Sequence, residues 1–266
     1  FVAPSSTKGI FRNDQYYWDS YFIILGLLET DQVDLAKGMV ENLAFLCEKY
    51  GIIPSRNRYY NLGISQPPFF TSMILEVFNK TKDKNWLGEM ASVAEKELTK
   101  YWMDTKKIHK IYKGLSRYCD HWRTHTTAEH ESGWDMTSRF SERCMDVLPI
   151  DLNSLLYKYE VDLSKIYKII GNKRKSGRYS DNSRKRKERI NELMWNEEKG
   201  FYFDYDYKNK RQNDFFSVAG FYPLWSGLAS KRQAKKMVKN LSVFEYRGGL
   251  ANTQKENLSK NFRQWD

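Results

Sequence analysis

Along most of the chain, apolar residues recur every three or four positions, the spacing that stacks them on one face of a helix. Leu148, Leu152, Leu155, Tyr159, Leu163, Ile166 and Ile170 form one such series. Leu35, Met39, Leu43, Leu46 and Tyr50 form another, stopped by Gly51, a residue suited to the left-handed turn after a helix. Further helices are predicted over 17–29, 67–79, 86–101, 184–195, 215–228 and 231–241, with Pro67 and Pro68 in a first turn, where a missing N–H costs nothing. Alternation is rare: 200–207 reads as one strand and 108–113 as a second. There is no strand–helix alternation for a parallel sheet, no Gly-rich phosphate loop and no fixed-length repeat. The pattern predicts an all-α chain of helical hairpins forming one domain over 1–266; periodicity alone leaves an α-solenoid open.

Composition narrows the class. Of 266 residues, 41% are hydrophobic and 29% charged, which excludes a disordered polymer, and no apolar run is long enough to cross a membrane. Aromatic residues reach 15%, a content that suits either rings under the flat faces of a sugar or a bulky helical core. Cys47, Cys119 and Cys144 are odd in number and far apart, so they form no disulfide framework and no metal-binding pair. With no leader visible, a reducing, cytoplasmic setting is expected. The net charge of +11 invites a nucleic-acid reading, but eight of those charges come from Lys168–Arg189, with ten basic residues and two acidic ones. That segment has one aromatic, Tyr179, and no stacking platform; it is expected to be a solvated connection and helix start, with no nucleic-acid partner.

Chemistry concentrates between the helices. One cluster runs from Phe11 to Phe22 and holds Arg12, Trp18 and Asp19: a charged fork, a stacking face and a hydroxyl acceptor, the parts of a sugar site. Others are Ile53–Tyr60 with Ser65-Gln66-Pro67-Pro68, Glu131–Phe140 with Gly133-Trp134-Asp135, and Gln264-Trp265-Asp266. Asp135 also reads as a helix N-cap. His121, His125 and His130 lie near two glutamates, but their segment lacks a helical period, so neither metal nor cofactor is expected.

In order along the chain, Tyr16-Tyr17-Trp18-Asp19-Ser20-Tyr21-Phe22 with Gly26-Leu27, Ser65-Gln66-Pro67-Pro68, Ser132-Gly133-Trp134-Asp135, Leu148–Tyr157, Phe221-Tyr222-Pro223-Leu224-Trp225 and Gln264-Trp265-Asp266 resemble the trehalases of glycoside hydrolase family 37. The resemblance implies an (α/α)6 barrel that hydrolyses α,α-trehalose with inversion, a small sugar as partner, and a monomer. It implies Asp135 as general acid, and Arg12, Trp18, Asp19, Ser65, Gln66, Arg117 and Gly133 as sugar-binding positions; Arg12, Trp18, Asp19, Gln66 and Asp135 are expected to converge on one concave side. Trehalases usually carry Asn where Ser55 stands and Arg where Ile64 stands. The alternatives are therefore a family-63-like hydrolase of glucosylglycerate or mannosylglycerate, and a noncatalytic helical sugar-binding fragment. The family's catalytic base is a Glu downstream of Gln264-Trp265-Asp266. That base is expected beyond residue 266, with the barrel incomplete at its C-terminal end, Asp266 mobile and the 266-residue chain short of activity.

Overall fold

The computed structural model describes residues 14–104, 108–254 and 263–266. The chain divides into two compact units, one from residues 1–107 and 159–182, the other from 108–158 and 183–266.

In the first unit, helices α1 (Tyr17–Glu29), α2 (Val33–Tyr50), α3 (Phe70–Thr81) and α4 (Lys84–Glu97) follow one another. α1 packs on α2 and α3, and α4 on α2 and α3. α1 matches the helix expected over 17–29 and buries Tyr17, Ser20, Tyr21, Ile24 and Leu28. α2 ends at Gly51, whose φ of +77° is the left-handed conformation expected of it. Its buried face is Ala36, Met39, Val40, Leu43, Ala44 and Cys47, whereas Leu35 and Tyr50 are exposed. The small residues Ala36 and Ala44 admit the neighbouring helices, so the large end residues are turned to solvent. Pro67 and Pro68 precede α3 instead of entering it. α4 is capped by Asp83, which accepts from the amides of Asn85 and Trp86.

Glu97, at the end of α4, is completely buried. Its carboxylate accepts from Tyr17 Oη at 2.8 Å, Tyr159 Oη at 2.7 Å and Trp102 Nε1 at 3.1 Å. Tyr17 Oη in turn accepts from the Phe70 amide, tying α1 to the start of α3. Burial outweighs these donors and pushes the Glu97 carboxyl up to about 7. The folded state therefore holds this proton more tightly than the unfolded chain. Its contribution favours folding fully below the ordinary glutamate value and is lost as pH rises to about 7. Glu97→Gln removes that titration. Between pH 4 and 8 the stability difference between wild type and variant should change by on the order of 3 kcal/mol, read from urea unfolding; parallel curves would contradict it.

The second unit mixes short strands with helices. Helices α5 (His125–Glu131), α6 (Ile150–Ile169), α7 (Lys173–Met194), α8 (Tyr222–Trp225) and α9 (Lys231–Lys239) occur from here on, and the unit boundary falls within α6 and α7. α6 buries the predicted series from Leu152 to Ile166, while Leu148 lies in a strand before it and Ile170 just past its end. α8 is much shorter than the span 215–228, most of which is 3-10 turn and loop. The strands are β1 (Lys110–Tyr112), β2 (Leu115–Ser116), β3 (Val147–Leu148), β4 (Trp195–Asn196), β5 (Phe201–Tyr202), β6 (Tyr205–Asp206), β7 (Arg211–Gln212), β8 (Glu245–Tyr246) and β9 (Gly249–Leu250). The single strand expected over 200–207 is two: β5 pairs antiparallel with β4, and β6 lies between β3 and β7. The break falls where the Phe203 amide donates to Met194 and Asp204 turns to a buried arginine.

The basic segment Lys168–Arg189 is largely exposed, as expected, but it is helix for most of its length and connection for little of it. The turn between α6 and α7 is only three residues, and α7 runs through the rest. Its buried positions Tyr179, Ser183, Arg186, Ile190 and Leu193 keep the helical period, but Ser183 and Arg186 hide that period from an apolar count.

Candidate functional site

Of the residues singled out, Trp18, Asp19, Ser65 and Gln66 belong to the first unit and Arg117, Gly133 and Asp135 to the second; Arg12 lies outside the described residues.

In the first unit, a short antiparallel pairing joins two loop clusters. Tyr16 bridges Arg56, the Tyr17 amide donates to the Ser55 carbonyl at 3.0 Å, and the Gln15 amide donates to Asn57 Oδ1 at 2.8 Å. Trp18 and Asp19 stand half-buried in the first turn of α1. The Trp18 amide makes a long, 3.4 Å contact with Gln66 Oε1, so Trp18 and Gln66 are neighbours. Burial pushes the Asp19 carboxyl up, against its own backbone and the Trp18 side chain, which hydrogen-bond to it. Ser65 is fully buried and its hydroxyl donates to the Ile53 carbonyl at 2.6 Å, which fixes the start of Ser65-Gln66-Pro67-Pro68. Ile64 is buried, its carbonyl accepting from the Ser55 amide.

Sequence reading missed the ion cluster beneath. Asp14 is buried and meets Arg56 at 3.6 Å and Arg58 in a closer pair. Arg56 also donates to Tyr16 Oη and Asn61 Oδ1, and its guanidinium lies 5.0 Å from the Tyr60 ring centre. The Arg56/Arg58 spacing was visible, but the buried acid 44 positions before Arg58 was not.

In the second unit, Gly133 closes α5 with φ +73°, a conformation that favours glycine, and its amide donates to His130. Trp134 is buried; its indole N–H donates to Asp151 Oδ2 at 2.9 Å. Asp135 comes next, half-buried. Burial pushes its carboxyl above the usual range, opposed by hydrogen bonding from its own backbone and by the positive field of His130. The capping role that Asp135 could have played is taken by Thr137, whose hydroxyl accepts from the Arg139 amide at 3.1 Å.

The nearest carboxylates in sequence are both engaged. Glu131 accepts from the Cys119 amide at 2.8 Å and lies 3.2 Å from His109 Nε2, while Glu129 accepts from the Thr137 amide at 2.7 Å. Arg117 is half-buried and donates to the Ile108 and Met145 carbonyls and to Tyr207 Oη, bracing the β1–β2 hairpin. His125 accepts from the Met145 amide. Among the described residues the three cysteines are buried and unbonded to one another, and no group of three or more His, Cys, Asp or Glu could hold a metal ion.

Asp135 is thus a half-buried carboxyl whose surroundings favour the protonated form. The sequence model of the Trehalase family matches residues 9–127 and 116–266. Cytosolic neutral trehalase from Kluyveromyces lactis is 34% identical across 99% of this chain. The chain belongs to the trehalase family. Cytosolic neutral trehalase from Saccharomyces cerevisiae is 33% identical over 99% of this chain. The solved neutral trehalase Nth1 of that yeast matches with a TM-score of 0.87 over 96% of this chain and 58% of its own. A GH63 mannosylglycerate hydrolase from Thermus thermophilus matches at TM-score 0.71 but 17% identity, covering 91% of this chain and 73% of its own, a likeness of fold. The trehalase and GH63 structures are (α/α)6 barrels, and this mostly helical chain matches part of that fold. The chain spans less than half the length of the curated relatives, 44% for each of these two. The alignment with the Kluyveromyces protein runs to 330 positions, longer than this trehalase-family chain, so the relative carries segments that this chain lacks. The two family matches meet over 116–127, where Arg117 stands.

Proposed function

We propose that the chain supplies the acid side of an inverting glycoside hydrolase acting on α,α-trehalose, within a single catalytic domain. The observation that carries this reading is Asp135: a carboxyl whose burial favours the protonated form, on a loop fixed at both flanks, in a trehalase-family chain. In the proposed reaction Asp135 gives its proton to the glycosidic oxygen as the bond to the anomeric carbon breaks. A carboxylate roughly 6.5–9.5 Å away activates water on the opposite face, so the attacked sugar leaves with inverted configuration. Glu129 and Glu131 are bound to backbone amides and are not assigned that role; the family resemblance puts the base downstream of Gln264-Trp265-Asp266. In the first unit Trp18 offers a stacking face, and Asp19 and Gln66 hydroxyl partners; the family resemblance separately implies Arg12 and, in the second unit, the backbone around Gly133 as sugar-binding positions. Ser65 and Arg117 act through the backbones they hold.

No nucleic-acid role is proposed for α7, because Tyr179, its one aromatic residue, is buried. Among the described residues no helix is long and apolar enough to cross a membrane. The cytosol, named for the relatives, and a monomeric state are proposed for this chain. The test is proton NMR of α,α-trehalose with the protein continued after Asp266 by the downstream sequence of the Kluyveromyces relative. Equal initial amounts of α- and β-glucose are expected. Hydrolysis of glucosylglycerate with trehalose left intact would overturn the substrate.

A further inference from the structure

Arg263, Trp265 and Asp266 contact the loop that carries Asp135 and the turn after it. The Trp265 amide donates to the Met136 carbonyl at 3.1 Å, and the two indoles Trp265 and Trp134 meet edge to face with ring centres 5.7 Å apart. Arg263 reaches the Thr137 carbonyl at 3.4 Å and Glu142 at 2.8 Å. The Asp266 side chain takes both donors of one residue: Oδ1 accepts from the Ser138 amide and Oδ2 from the Ser138 hydroxyl, each at 2.6 Å. The expectation that Asp266 is mobile is corrected by these bonds. The loop is gripped from the other side as well, by Ser132 Oγ on the Trp134 amide, Asp151 on the Trp134 indole and Glu129 on the Thr137 amide.

We infer that Asp266 is a positioning residue for the acid, its carboxylate clamping Ser138 so that the Trp134–Ser138 loop holds Asp135 in one place. This rests on Asp135 being the acid. Two charge-assisted hydrogen bonds to one residue fix orientation as well as distance, which a single bond does not. A displacement of about 1 Å at a reacting group costs on the order of 10²-fold in rate, so a clamp three residues from the acid matters to turnover without touching the sugar.

The test compares Asp266→Ala, Asp266→Asn and Ser138→Ala in the protein used above. The Asn side chain can accept from the Ser138 amide with its oxygen and donate to the Ser138 hydroxyl with its nitrogen, so it keeps the geometry without the charge. Asp266→Ala should speed amide exchange across Met136–Ser138 by about tenfold or more. It should also lower the Asp135 titration midpoint, read by carboxyl carbon NMR, as water reaches a group whose burial raises it. On trehalose, kcat should fall by roughly 10–100-fold with KM little changed. Ser138→Ala should give a smaller change of the same kind, and Asp266→Asn should restore all three readouts toward wild type. Unchanged exchange and titration in Asp266→Ala would overturn the clamp, as would a loss that Asn fails to restore. Wild-type protein inert toward trehalose would remove the proposed reaction while leaving exchange and titration to decide the clamp.

Discussion

Arg139→Met is expected to destabilise the second unit by roughly 3–5 kcal/mol, enough to unfold a protein of ordinary stability. Arg139 is almost wholly buried. Its Nε and Nη2 donate to the two oxygens of Asp204 at 2.7 Å each, and Nη2 also reaches Asp151 Oδ1 at 2.6 Å. The carboxylates have other work: Asp151 accepts from Trp134 Nε1 and Tyr118 Oη, and Asp204 from the Ile150 amide at the start of α6. One guanidinium thus faces two buried acids; burial alone would lower its pKa, but the charges of Asp151 and Asp204 and their hydrogen bonds outweigh it and hold it well above the usual arginine value. Methionine would fill much of the volume but leave two like charges without a counterion in low dielectric. Lysine should recover little, because a single ammonium cannot reproduce the fork. Adding Asp204→Asn to Arg139→Met should restore part of the loss by removing one charge. Urea unfolding followed by tryptophan fluorescence measures all three. A shift under about 1 kcal/mol for Arg139→Met would show that the cluster is not what holds this unit together.

The residues behind that cluster show where sequence reading stops. Spacing located α1 and α6 because each carries an unbroken apolar series along its buried face, even though α6 also buries Asp151, Asn153, Ser154, Glu160 and Asp162. Only the second half of α7 was legible, as the helix expected over 184–195, because its first half buries just Tyr179 and Ser183; 200–207 reads as one strand because alternation cannot reveal that two halves pair with different partners. Asp135, Trp18 and Gln66 were legible as motif residues, and the environment of Asp135 fits the adjacent Trp134. The pairs Asp14 with Arg58, Arg139 with Asp204, and Ser138 with Asp266 span 44, 65 and 128 positions. No local pattern encodes such pairs; they follow from the tertiary fold, which brings distant loops together around buried charge.

The second large effect is catalytic. Asp135→Asn keeps size and hydrogen-bonding shape but has no proton to give, so trehalose turnover should fall by about 10²–10⁴-fold. Wild-type turnover should decline as pH rises through the Asp135 pKa, and because burial raises that pKa, the decline begins at higher pH than for an exposed aspartate. The variant should lack this limb.

The most direct measurement sets two substrates against each other in wild type and Asp135→Asn, both continued to the relatives' length. Trehalose needs its leaving oxygen protonated, whereas the fluoride of α-glucosyl fluoride departs without a proton. If Asp135 is the general acid, Asp135→Asn loses trehalose hydrolysis by about 10²-fold or more while hydrolysis of the fluoride stays near wild type. Equal loss on both substrates, or retention of both, would contradict the assignment.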